Sequence, residues 1–278
     1  MSRDDRLDPD KIAAKLKTTR VGRKVVVHER TASTNDVAAE YARNPENDGL
    51  VVFAEEQTAG RGRTGAVWQS PYGESLLFSV LLIDGTLANE MLSLTCAVAV
   101  AEALGDVGGH HARIKWPNDI LLAGRKVSGI LLESKRVSRP PRNSCDSSRD
   151  TKHEIRDTTL IGIGINCHQT VESFPPELRG FATSLDLVAG ARCDRITLAR
   201  RTLTSLDQWL RTAEKDEGRV IEIWGRLSTQ LAQRLTLCCN GRTSTGHCIG
   251  IDPVNGLILQ LDRGGVRMFD AAHTTILK

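Results

Sequence analysis

Three familiar signals are missing from this sequence, and each absence narrows what the chain does. Its seven cysteines, at 96, 145, 167, 193, 238, 239 and 248, are odd in number and contain no C-x-x-C pair. That spacing argues against common zinc-ribbon and dithiol motifs and fits a reduced, cytoplasmic protein. No apolar run approaches the length of a membrane span, and the opening "MSRDDRLDPDKIAAK" lacks the apolar core of a secretion signal. The formal net charge of +3 comes without a concentrated basic stripe, so nothing in the charge balance asks for DNA.

What is present is enough apolar residue, 40% of 278, to bury a substantial core. Residues 1–23 are strongly charged and are expected to be a flexible lead-in. Structure is expected from Lys24, where "KVVVHER" reads as a strand and "STNDVAAEYARN" as a helix capped at Ser33 or Thr34. "LVVFAEEQ" and the apolar "SLLFSVLLI" are further strands, and "NEMLSLTCAVAVAEAL" is a buried helix. "RIKWPNDILLAGRKVSGILLE" predicts a hairpin turning at Ala123-Gly124, and "TLIGIGINC" predicts another strand. Two helices are expected between Ile196 and Leu227. The polar, proline-containing stretch 134–158 lacks periodicity and is expected to be a mobile insertion. After residue 228 the texture changes to short strands separated by "NGRTSTG", "DPVNG" and "DRGG", as in a small β-barrel.

Gly60, Gly62 and Gly65 spell G-x-G-x-x-G, the dinucleotide fingerprint. That motif works when it ends a strand and opens a helix, whose free N–H groups hold the pyrophosphate. Here Trp68, Pro71, Tyr72 and Gly73 lead into another strand, and two intervening positions are arginines. The segment instead reads as a glycine-hinged flap carrying Arg61 and Arg63 towards an anion. On "IGIGIN", Ile161, Ile163 and Ile165 alternate with Gly162, Gly164 and Asn166, which predicts a core face and a flat, ligand-sized floor on the other. Val127, Gly129 and Leu131 likewise share a strand face by alternation.

Four blocks in this order, "STND" (33–36), "EEQTAGRGRTGAVWQSPYG" (55–73), "KWPNDILLAGRKVSGILLE" (115–133) and "GIGIN" (162–166), closely resemble the biotin protein ligases. The resemblance implies an α+β fold: a mixed, largely antiparallel sheet with helices packed on one face, followed by a small SH3-like β-barrel. The corresponding divisions are 24–228 for the biotin- and ATP-binding catalytic domain and 229–278 for the barrel. The ending "FDAAHTTILK" departs from the glycine-glutamate ending of that family. The type expected is monofunctional, because the residues before Lys24 are too few to bury the core of a DNA-binding domain.

The reaction implied has two steps. Biotin's carboxylate attacks the α-phosphate of ATP to give biotinyl-5′-AMP, and a lysine of a biotin carboxyl carrier protein or domain then takes the biotinyl group. Two unit negative charges about 3.5 Å apart at an effective dielectric near 20 repel by about 5 kcal/mol, or more than three decades of rate. Fixed cations are therefore required. The resemblance assigns Lys126, Arg61 and Arg63 as catalytic, and Ser33, Thr34, Asn35, Gln57, Gly60, Gly62 and Gly129 with those three cations to biotin. Uncharged hydroxyls and amides suit its neutral ureido ring. It assigns Trp68, Lys115, Asn118 and Asn166, again with Arg61, Arg63 and Lys126, to ATP and the adenylate. Asp119 is a candidate ligand for Mg²⁺, the expected cofactor. Rival readings are a lipoate-type ligase, whose "GGGxVxHD" stretch is missing, and a sensor of biotin or nucleotide, against which Lys126, Arg61 and Arg63 argue. The sequence leaves a homodimer open.

Overall fold

The computed structural model describes residues 5–139 and 154–277. Helix α1 (Pro9–Ala13) leads to β1 (Val25–Thr31), α2 (Thr34–Glu40), β2 (Val51–Gln57), β3 (Ser75–Ile83) and α3 (Asn89–Leu104). A small ribbon, β4 (Asp106–Val107) with β5 (His110–His111), precedes β6 (Arg113–Lys115), β7 (Asp119–Leu122), β8 (Arg125–Arg139) and β9 (Glu154–Asn166). Helices α4 (Leu185–Ala189), α5 (Arg195–Ala213) and α6 (Glu217–Leu227) follow. The chain ends in β10 (Arg234–Cys239), β11 (Arg242–Asp252), β12 (Gly256–Leu261), β13 (Val266–Phe269) and β14 (Thr274–Leu277).

Seven strands form one sheet in the order β1-β2-β3-β9-β8-β7-β6. Only β1 and β2 pair in parallel, with α2 as their crossover, and the remaining neighbours are antiparallel. The mixed α+β architecture is thus the one expected. Helix α3 is apolar all round because it lies between the sheet and α5 and α6, so most of its surface is buried. Helix α2 takes the opposite face, where Ala38 and Ala42 pack on Val52, Leu81 and Leu160 in a smaller core of their own. The helices therefore occupy both faces, and the short one shares its side with the site. The last five strands form a separate antiparallel sheet, β13-β12-β11-β10-β14. No helix among the described residues is long and apolar enough to cross a membrane.

Two expectations require correction. Residues 5–23, read as a flexible lead-in, are packed: Leu7, Ile12 and Val21 are buried. The Asp207 carboxylate on α5 accepts the N–H groups of Thr19, Arg20 and Val21 at 3.0, 2.8 and 3.0 Å. Burial alone raises its pKa, but these backbone donors outweigh that and hold the group below the usual carboxylate range. Sequence reading missed this because the few apolar residues of the segment do not form a periodic stripe. The second correction concerns 134–158, where β8 and β9 extend into the stretch and pair from Ser134↔Thr159 to Arg139↔Glu154. Charged residues suit such a ribbon because it projects beyond the core. The remainder of that predicted loop, 140–153, lies outside the described residues.

Candidate active site

On the α2 side of the large sheet, a cavity of about 230 Å³ is floored by strand backbone and walled by polar and cationic side chains. Its floor follows from register. Asp119, Gly129 and Gly164 stand abreast on β7, β8 and β9, and Gly162 lies between Leu131 and Ser79. A Cβ on Gly164 would sit 2.6 Å from the Trp68 indole, one on Gly129 would sit 2.9 Å from the same ring, and one on Gly162 would sit 2.8 Å from Asn35 Oδ1. The glycines are therefore the condition for Trp68 and Asn35 to lie flat against the sheet.

Lys126 reaches the cavity through an irregularity that alternation does not reveal. The Ala123-Gly124 turn has both residues at positive φ, 48° and 74°, the pattern of a type I′ hairpin. Just beyond it the register steps between Ile120↔Ser128 and Leu121↔Lys126, leaving an extra residue in β8. This bulge drops Val127 into the core at 0% exposure and brings Lys126 onto the cavity side with Gly129 and Leu131. The shared face expected for Val127, Gly129 and Leu131 is broken for that reason. The Lys126 backbone is pinned by Phe181 and Thr183, whose C=O and N–H bond it at 2.7 and 2.8 Å. Its Nζ lies 2.6 Å from Asp119 Oδ1 and 5.7 Å from the centre of the Trp68 ring.

The glycine-arginine segment is a folded loop. Gly62 N–H bonds the Ala66 carbonyl at 2.7 Å, Trp68 N–H bonds that of Gly60 at 2.9 Å, and Thr64 and Gly65 take positive φ to close it. Arg61 grips Asp36 at 2.7 and 2.9 Å and Glu133 at 3.0 and 3.1 Å. The hydrogen bond from Arg61 holds the Asp36 carboxyl below its usual range. Burial pushes Glu133 up, but its bonds from Arg61 and Asn35 prevail and its pKa is also lowered. Arg63 donates to the carbonyl of Ala271 in the C-terminal sheet region, and burial pushes its guanidinium pKa down against the opposing charge of Asp119.

Opposite the cations is an uncharged cluster. Ser33 occupies the N-cap position of α2, yet its side chain makes no capping bond. The Gln57 carbonyl oxygen instead accepts the Thr34 N–H at 2.7 Å and the Thr34 hydroxyl at 3.0 Å. Ser79 Oγ lies 2.7 Å from Thr34 Oγ1 and 2.5 Å from Asn35 Oδ1, while Asn35 Nδ2 donates to Glu133 at 2.8 Å. A neutral hydroxyl-amide set thus faces a lysine and two arginines across one cavity.

Of the residues expected here, Ser33, Thr34, Asn35, Gln57, Arg61, Gly62, Arg63, Trp68, Asn118, Asp119, Lys126 and Gly129 line the cavity. Three do not. Gly60 borders the adjoining cleft under the loop. Lys115 lies on β6 in register with Asp119, outside the lining. Asn166 lies past the edge of the floor, where its amide donates to the Thr183 carbonyl at 3.0 Å and accepts from Gln169 at 3.3 Å. Among the described residues Asp119 is the only acidic one in the lining, and its Oδ1 is engaged by Lys126, so it offers Mg²⁺ a single competed carboxylate. Sequence reasoning missed Asp36, Glu133 and Ser79. Glu133 ends the "GILLE" block, and that acidic residue at the end of an apolar strand was the available signal.

Comparison with known proteins places this geometry. The sequence model of the Biotin/lipoate A/B protein ligase family matches residues 27–144. The biotin–acetyl-CoA-carboxylase ligase of Mycobacterium tuberculosis is 32% identical over 292 aligned residues, covering 100% of this chain and 96% of that protein. The bifunctional ligase/repressor BirA of Bacillus subtilis is 31% identical over 269 residues, 96% of this chain and 78% of its own length. Among solved structures, the biotin protein ligase of Aquifex aeolicus in complex with biotin and ATP superposes with a TM-score of 0.72 at 24% identity, over 92% of this chain and 99% of that one, which is a likeness of fold. The family model and these relatives define a ligase. The chain belongs to the biotin/lipoate A/B protein ligase family, among its biotin ligases.

Proposed function

We propose that this chain joins biotin to ATP, forming biotinyl-5′-AMP with loss of pyrophosphate, and then passes the biotinyl group to a lysine of a biotin carboxyl carrier protein. The observation that carries the reading is the meeting of Lys126 and Arg63 with the neutral Ser33–Thr34–Asn35–Gln57 cluster in one cavity. The neutral cluster suits the ureido ring, whose carbonyl and N–H groups need uncharged partners. At the other end Lys126 Nζ would move from Asp119 onto the biotin carboxylate and the α-phosphate, offsetting the repulsion between them as the new bond forms. Arg61 is already neutralised by Asp36 and Glu133, so we assign it to holding the loop and Asn35, and Arg63 to the departing phosphate charge. Trp68, whose buried Nε1 has no partner among the described residues, fits an adenylate laid on the glycine floor.

No base is needed for the first step, because a carboxylate is nucleophilic when ionised. Mg²⁺ would arrive on the triphosphate with Asp119 as its one protein carboxylate, where it would neutralise pyrophosphate. We take 24–228 as the catalytic unit and 229–278 as the small appended domain, and the free thiols of the described cysteines fit a cytoplasmic setting. The test is to incubate purified protein with biotin, ATP and Mg²⁺ and to analyse the quenched mixture by mass spectrometry. Biotinyl-5′-AMP is the expected product, and biotin binding without it would make the chain a sensor.

A further inference from the structure

Behind the floor, at the exit of β9, three chemically different donors converge although they are far apart in sequence. His168 Nδ1 lies 2.7 Å from Asp186 Oδ2 and 4.0 Å from Cys193 Sγ, and the three donor atoms lie within 4.8 Å of one another. These residues come from the segment leaving β9, the first turn of α4 and the segment before α5. That dispersion is why the missing C-x-x-C spacing did not reveal them.

We propose that His168, Asp186 and Cys193 form a zinc site with three protein ligands and a water in the fourth position. Nitrogen, carboxylate and thiolate donors together favour zinc over the hard cations magnesium and calcium. In tetrahedral coordination with bonds of about 2.0 Å to N and O and about 2.3 Å to S, neighbouring donors stand roughly 3.3–3.5 Å apart. Asp186 Oδ2 would retreat by about 0.6 Å and Cys193 Sγ would advance by about 0.5 Å, adjustments within reach of side-chain rotation.

The surroundings are those of a supported ligand set. His168 Nε2 lies 2.8 Å from Asp5 Oδ2, so with zinc on Nδ1 the ring donates its remaining N–H to a carboxylate, the arrangement that fixes tautomer and orientation in zinc–histidine sites. Asp186 Oδ1 is held by the Cys193 N–H at 2.7 Å, and Asp5 is in turn gripped by Arg195. Without metal both ring nitrogens face carboxylates, which calls for an imidazolium. Binding therefore releases one proton from His168 Nδ1 and one from the Cys193 thiol. The resulting site, with Zn²⁺ against one thiolate and one carboxylate, is neutral, beside Arg192 and Arg195. A cleft of about 320 Å³, lined in part by Asp5, His168, Arg192 and Arg195, adjoins the histidine. The metal would tie the segment leaving β9, two residues beyond Asn166, to α4 and the start of α5.

The test uses the reduced full-length chain, stripped with chelator and titrated with Zn²⁺ alone, and separately with Co²⁺ as a spectroscopic probe. The proposal expects one tightly held zinc per chain, a cobalt spectrum with tetrahedral d–d bands and a thiolate charge-transfer band, and loss of both in Cys193→Ser. Asp5→Asn, which removes only the outer carboxylate, is expected to weaken zinc by about 10- to 100-fold. Zinc uptake unchanged in a folded Cys193→Ser would overturn the proposal, because Cys238, Cys239 or Cys248 would then be the source. No uptake by the wild-type chain would overturn it too. Should Cys193→Ser not fold, the cobalt spectrum of the wild-type chain decides, and absence of the thiolate band defeats the site.

Discussion

Gly162 and Gly164 are two residues apart on β9, yet an added methyl would strike different partners, and that separates the two halves of the cavity experimentally. In Gly164→Ala the new Cβ would lie 2.6 and 2.7 Å from two carbons of Trp68, whereas comfortable carbon contacts start near 3.5 Å. The indole must therefore move by roughly 0.9 Å or tilt off the floor. In Gly162→Ala the clash is with the Asn35 amide, at 2.8 Å to Oδ1 and 3.2 Å to Nδ2, and Asn35 is tied to Ser79 and Glu133. Overpacking of this kind costs about 1–3 kcal/mol, equivalent to roughly 5- to 150-fold in a binding constant. Isothermal titration with biotin and, separately, with a non-hydrolysable ATP analogue is expected to show the nucleotide weakened by that factor in Gly164→Ala with biotin little changed. Gly162→Ala is expected to show the reverse. If both substitutions weaken the two ligands equally, or leave both untouched while the thermal midpoint stays put, the division of the floor into two subsites is wrong.

Two further outcomes follow from the loop. Arg63→Gly removes its tie to the Ala271 carbonyl, so reactive adenylate should escape; biotin labelling of bystander lysines in added serum albumin should rise above wild type, and unchanged labelling would disprove the tether. Asp36 and Glu133 both have lowered pKa values, so the Arg61 clamp is fully present above their ordinary values near 4 and is lost as pH falls through the depressed ones. Amide exchange of residues 58–67, corrected for intrinsic rates, should therefore accelerate in acid before the core opens, and loop protection persisting until global unfolding would contradict this.

The strands and long helices were legible because their residues answer to local rules: alternation in β3 and β9, an apolar 16-residue helix, and a turn dipeptide ready for positive φ at Ala123-Gly124. The glycine floor was legible for the same reason. What escaped depends on partners distant in sequence. Asp207 holds residues 19–21 from 186 to 188 positions away, and Asp5 meets Arg195 across 190. The direction of Lys126 rests on a bulge, which alternation read alone assigns to the wrong face. Asn166 was placed correctly on its strand face but sits past the cavity edge, where Thr183 and Gln169 claim its amide.

Lys126→Gln tests the central claim most directly, with pyrophosphate release measured in biotin, ATP and Mg²⁺ beside biotin affinity measured alone. Replacing the ammonium by a neutral amide one atom shorter is expected to slow release by roughly 10²- to 10³-fold and to leave biotin affinity within about tenfold. Release at the wild-type rate would mean that the reaction does not depend on a cation at this bulge.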